Sequence, residues 1–172
     1  MKKWWIILFV LVLLSGCGQP AQLETVSDVQ EQQVLPREQR VLLQLPPEVY
    51  APTLQTDTGS IYLCDRYSIS LATYRAGDLQ QTVQTAAGFL PENLQMQQTM
   101  QQQNKRYSFT WTAASEEGIQ VGRGCILDDG YYHYVLTAMA SEADAGELQE
   151  TWREIFASFR VTEDREDIST GS

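Results

Sequence analysis

Apolar positions change their rhythm several times along this chain. After Met1-Lys2-Lys3 every residue from Trp4 to Leu14 is apolar. From Gly18 to Gln39 the few apolar residues keep no sustained period among Gln, Glu, Ser and Pro, and such a stretch buries too little to offset the entropy of ordering it. Strand-like patterns then follow. Arg40-Val41-Leu42-Leu43-Gln44-Leu45 predicts a strand start, stopped by Pro46-Pro47. Ser60 to Asp65 and Tyr67 to Tyr74 predict two more; in the second, Ile69, Leu71 and Thr73 alternate with Ser68, Ser70 and Ala72. The period lengthens in "RAGDLQQTVQTAAGF": Leu79, Val83 and Ala86-Ala87 share a helical face, Asp78 is placed to cap it, and Gly88 ends it.

Residues 94–101, in the glutamine-rich run "QMQQTMQQQNK", fit either a helix or a strand. In "KRYSFTWTAA", Tyr107, Phe109 and Trp111 fall on one face at period two. Glu116-Glu117-Gly118 predicts a turn into the strand "IQVGRGCIL", and Asp128-Asp129-Gly130 a hairpin turn into "YYHYVLTAMA". Ser141 with Asp144 then forms a capping-box-like start. Leu148, Trp152, Ile155, Phe156 and Phe159 make one apolar helical stripe, with Gly146 weakening the first turns. Burying five such side chains is worth roughly 8–15 kcal/mol gross, about what ordering the backbone costs. The helix must therefore lie on the sheet. The expected fold is α+β: an antiparallel sheet of about six strands with two helices packed on it.

The apolar run is too short for the ~20 residues of a spanning helix and suits the core of a signal peptide. It closes on Leu14-Ser15-Gly16-Cys17, which resembles a bacterial lipobox. The resemblance implies a diacylglyceryl group on the Cys17 thiol and cleavage between Gly16 and Cys17. Two acyl chains hold stably where one holds marginally. The implied organisation is a signal peptide at 1–16, a lipidated cysteine and flexible linker at 17–39, one domain at 40–161 and a disordered acidic tail at 162–172. A plain secretory signal and an uncleaved anchor are the alternatives. The extracytoplasmic face of the cell membrane follows from the lipobox, or the outer membrane in a cell with two membranes, since Gly18 is not the aspartate that favours inner-membrane retention.

The element order, with "GDLQQTVQTAAGF" as first helix and "WREIFASFRV" as closing helix and final strand, resembles the PsbP-like α+β sandwich over about residues 40–161. Bacterial members of that group are often small lipoproteins. The group shares no catalytic residues, so the resemblance assigns none here and implies a binding or accessory role.

Charge narrows the partners. The net charge is −10, and loss of Lys2 and Lys3 with the signal makes it two units more negative. Such a surface suits neither nucleic acid nor direct contact with an anionic bilayer, so the membrane is expected to be reached through lipid on Cys17. Of the three cysteines, Cys64 and Cys125 remain as a candidate disulfide outside the cytoplasm. The alternative is two small buried side chains, and Cys125 shares strand parity with Ile119, Val121 and Leu127, which favours burial.

Candidate chemistry is sparse. His133 is the one histidine, so a nucleophilic enzyme would have to use it, with Cys64 or Cys125 as the thiol. Asp128 and Asp129, with Glu116 and Glu117, carry oxygens suited to calcium, but their spacing matches no calcium loop and turn chemistry accounts for Asp-Asp-Gly. No metal or cofactor is expected. Tyr131, Tyr132, His133 and Tyr134 form an aromatic run, half of which faces outward on an isolated sheet; it offers a partner surface or packs beneath the first helix. The favoured reading is a non-catalytic binding or envelope-accessory domain with an unidentified protein or envelope partner. The alternative is a cell-surface hydrolase or thiol enzyme.

Overall fold

The structure is a computed structural model, and it describes residues 36–162. Cys17, the Gly16–Cys17 cleavage point, most of the linker and the acidic tail lie outside the described residues. Strand β1 is Val41–Leu42, β2 Leu54–Thr56, β3 Gly59–Leu63 and β4 Tyr67–Arg75; helix α1 is Leu79–Ala87. A 3₁₀ turn at Pro91–Asn93 leads to β5 Gln95–Gln101, β6 Asn104–Ser115, β7 Gly118–Asp128 and β8 Tyr132–Ser141. Helices α2 Glu142–Ala145 and α3 Gln149–Ser158 precede β9 Arg160–Val161. Seven strands make one antiparallel sheet in the order β2-β3-β4-β8-β7-β6-β5. Five of its six pairings join consecutive strands; β4 with β8 is the exception, closed after the chain has built α1 and β5–β7.

Both faces of the sheet are covered in part, which explains β8. All its residues but Met139 and Ser141 are buried. Tyr132, Tyr134, Leu136, Ala138 and Ala140 face α3 and join Ile69, Cys125 and Leu127 against the whole predicted stripe Leu148, Trp152, Ile155, Phe156 and Phe159. Val135 faces the other way and joins Tyr107, Phe109 and Ile126 under Val83 and Ala87 of α1. Helix α1 is capped as its sequence dictates. Asp78 Oδ1 accepts the Gln80 N–H at 2.9 Å, and Gly88, at φ 77°, donates its N–H to the Gln84 carbonyl.

The glycines of "VGRGC" make room for aromatic rings. Phe109 stands opposite Gly124, and Trp111 opposite Gly122. A Cβ on Gly124 would come within 2.3 Å of the Phe109 ring, and one on Gly122 within 2.1 Å of Trp111. The two rings lie across the neighbouring strand with centroids 5.8 Å apart.

The α+β fold built on an antiparallel sheet is as expected, and several details are resolved or corrected. The main sheet has seven strands rather than about six, because Leu54–Thr56 pairs at one edge. Residues 95–101 are strand, paired with β6 throughout. Of Arg40 to Leu45 only Val41–Leu42 pairs, and with β9 rather than the main sheet. The closing helix is split in two: Ser141 caps only the short α2, and the chain turns through Gly146 before α3 begins. The Asp-Gly reversal is a three-residue loop in which Gly130 alone has positive φ, 87°. Asp128 Oδ1 accepts from Gly130 N, and Asp129 Oδ1 from Tyr131 N and Tyr132 N.

Candidate functional site

A recess in the described domain lies between the start of α3 and the β5–β6–β7 part of the sheet, with a volume of about 770 Å³. Pairing register builds its floor. Gln95, Thr110 and Arg123 form one row across three strands, and Gln97, Ser108 and Cys125 form the next. Amides and hydroxyls therefore line the sheet side, while Gln149, Glu150, Trp152 and Arg153 line the helix side.

Arg123 occupies a position on β7 that the strand's alternation reserves for the core, between Val121 and Cys125. Its guanidinium stacks 4.9 Å from the centroid of the Phe156 ring. Among the described residues no carboxylate pairs with it and no hydrogen-bond acceptor engages it. Burial, and secondarily repulsion from Arg106, holds its pKa below the ordinary arginine value, yet a guanidinium keeps its proton throughout the physiological range. Arg106 is differently employed: it donates to the Phe156 carbonyl at 2.8 Å and to Phe159 O at 3.4 Å, clamping the end of α3. Glu150, the carboxylate at the rim, pairs with Arg153, and both are about two-thirds exposed. Trp152 is 4 % exposed, and its indole N–H is buried without an acceptor.

The residues singled out in the sequence do not converge. His133 is 2 % exposed, with Nδ1 2.8 Å from Thr82 Oγ1 under α1 and Nε2 4.0 Å from Asp128. Burial lowers its pKa against the opposing pull of Asp128 and Asp129. Cys125 lies on the opposite face of the sheet, and Cys64 follows β3 beside Tyr67, at the far end of β4 from the Tyr74 that pairs with His133. No thiol–imidazole pair can form, so the thiol-enzyme alternative loses its catalytic couple. Burial also raises both thiol pKa values, that of Cys125 to about 11, which keeps the weaker nucleophile, the neutral thiol. The candidate disulfide is likewise not formed: both cysteines are free, and β4 and β8 separate their strands. Three strand spacings are roughly 14 Å, well beyond the reach of a bridge.

The aromatic run is mostly interior, which corrects its reading as a partner surface. Tyr132, His133 and Tyr134 are 8 %, 2 % and 0 % exposed, while Tyr131 is 42 % exposed. The two inner tyrosines hold the start of the domain: Tyr132 donates its hydroxyl to Pro36 O at 2.9 Å, and Tyr134 Oη accepts the Gln39 N–H at 2.8 Å. Glu116 and Glu117 stand at the opposite end of β7 from Asp128 and Asp129, so the four carboxylates form no common site. Sequence reasoning missed Arg123. Its cue was a charged residue at core parity in "VGRGC".

No family model and no curated protein matches the chain. Solved structures do. LpqN of Mycobacterium tuberculosis, which is involved in cell envelope biogenesis, superposes with a TM-score of 0.50 at 11% identity, covering 73% of this chain and 84% of LpqN. A protein from Bacteroides thetaiotaomicron reaches 0.51 at 7% identity, covering 73% of this chain and 46% of that one. Cyanobacterial PsbP (CyanoP) from Synechocystis reaches 0.48 at 7% identity, covering 73% of this chain and 95% of CyanoP. At these identities the likeness is one of fold. The 0.48 for CyanoP carries no argument for the PsbP-like resemblance.

Proposed function

We propose that this chain is a lipid-anchored extracytoplasmic lipoprotein whose α+β domain has a non-catalytic binding or envelope-accessory role. One observation carries the reading: Leu14-Ser15-Gly16-Cys17 closes a lysine-flanked apolar run. Among the described residues no helix is long and apolar enough to cross a membrane, and the lipobox pattern supports Cys17 as the point of attachment. The linker would join the domain at Pro36, beside the β7–β8 loop. The dispersal of His133, Cys64 and Cys125 favours binding over nucleophilic chemistry. A fold shared with LpqN, itself involved in envelope biogenesis, is compatible with such a role.

Intact-mass analysis of protein extracted from its native membrane tests the anchor. The expected species begins at Cys17 and carries a diacylglyceryl group. A chain retaining Met1, or one beginning at Cys17 without lipid, overturns the proposal. Cys17→Ser should keep the signal uncleaved and unlipidated.

A further inference from the structure

We infer that the cleft between α3 and the β5–β6–β7 floor binds the oxyanion of a small polar ligand, a carboxylate or a phosphate group, with Arg123 as its principal partner. Three independent features converge there. Arg123 is a half-buried cation on the cleft floor with no carboxylate paired to it among the described residues. Trp152, on the helix side of the cleft, holds a buried indole N–H without an acceptor. Buried donors are normally satisfied, so the buried Trp152 N–H, beside a half-buried cation that no acceptor engages, points to an acceptor supplied from outside. The third feature is the set of amides and hydroxyls, Gln95, Gln97, Ser108 and Thr110, that stands in the lining beside the apolar Val121 and Ala145.

The net charge of −10 argues against anion binding only at long range. Screening confines each exposed charge to about 8 Å at physiological salt. Within that distance the cleft is dominated by Arg123, with Arg106 close enough to repel it, while Glu150 is engaged by Arg153. The guanidinium carbon lies 4.9 Å over the Phe156 ring, and its N–H groups, engaged by no acceptor among the described residues, can form the forked contact that carboxylate and phosphate accept. The volume, about 770 Å³, lies in the range of small-molecule sites and is far larger than a bare anion needs. The recess therefore leaves room for a body beyond the oxyanion, and a hydroxyl-bearing one suits the glutamines and hydroxyls.

The test uses the full chain in non-ionic detergent, with nitrogen-15 spectra resolving the Trp152 indole. Inorganic phosphate, acetate, glucose 6-phosphate, glucuronate and uncharged glucose are titrated separately. The expected result is a saturable shift of the Trp152 signal with the charged probes, the Trp111 indole staying still, and tighter binding of the sugar acids than of the bare anions. Saturation by glucose 6-phosphate alone identifies a phosphate ester; saturation by glucuronate alone identifies a carboxylate. Arg123→Gln should weaken binding about ten-fold or more, Arg123→Lys should restore part of it, and Arg160→Gln, outside the cleft, should leave it unchanged. Trp152→Phe, read by melting temperature in saturating ligand, should reduce the shift. The inference is overturned if no charged probe saturates, if glucose binds as well as the acids, or if folded Arg123→Gln binds like the parent. These outcomes do not depend on whether Cys17 carries lipid.

Discussion

Thr82 Oγ1 lies 2.8 Å from His133 Nδ1, so the chain's one histidine fastens helix α1 to the sheet. Both side chains are buried, at 7 % and 2 % exposure. Burial holds the folded-state pKa of His133 below its ordinary 6.5. Above that pH both folded and unfolded states are neutral. As pH falls through 6.5 the unfolded chain takes up its proton first, so stability is lost progressively until the folded value is also passed. Urea midpoints at pH 7.5 and pH 5 should therefore fall more for the parent than for His133→Gln, which keeps a hydrogen-bonding group toward Thr82. Equal falls in the two proteins would show that His133 is not the titrating group.

Arg106 ties the edge of the sheet to the end of the closing helix. It reaches the Phe156 carbonyl at 2.8 Å and also bonds Gln101 Oε1, while Gln101 Nε2 donates to Phe159 O at 2.9 Å. Hydrogen bonds to a charged donor are worth about 1.5–3 kcal/mol. Arg106→Met, which keeps the aliphatic stem, should lose about that much in urea unfolding. Hydrogen exchange should quicken in α3 and β5 before it does in α1. Uniform quickening would mean that the clamp is not local.

Gly124 should tolerate nothing larger. A methyl group there meets the Phe109 ring at 2.3 Å, and overpacking of this kind costs about 1–3 kcal/mol. Gly124→Ala should lower stability by that amount, and adding Phe109→Leu should recover part of it. A strictly additive double mutant would argue against the contact.

Cys64 and Cys125 are free, and their accessibilities differ. Denatured, unreduced protein should take up alkylating reagent at both positions. In the native protein Cys64, half-buried, should react slowly, and Cys125, fully buried, not at all until unfolding. Intact mass after labelling reads each case, and two missing adducts in the denatured sample would reveal a bridge.

Much of the fold was legible because its cues are local. Asp78 and Gly88 bracket α1 with contacts spanning two to four residues. Period-two alternation located β4, β6, β7 and β8, since each has at least one face whose burial the pattern records. Leu54–Thr56 went unseen because all three residues of this edge strand are exposed and leave no alternation. Residues 95–101 stayed ambiguous for a related reason: Met96 and Gln101 alone are even half-buried along that edge.

The recess was not legible at all. Gln95, Thr110 and Arg123 come from three strands and become neighbours only through the register of β5, β6 and β7. Trp152 read correctly as core, but nothing in its spacing says that its indole N–H will lack an acceptor.

By itself the sequence determined what depends on neighbours along the chain: the lipobox pattern at Cys17, the caps of α1, the strand alternation and the apolar stripe of α3. Tertiary structure decided the rest. It covered both faces of β8, turning an aromatic run into core and tethers for Pro36 and Gln39. It set Cys64, Cys125 and His133 on different strands, ends or faces, and it left Arg123 without a counter-ion at a cavity. The reason is range: capping and periodicity act over a few residues, whereas pairing register and burial bring together residues whose separation in sequence says nothing about their distance in space.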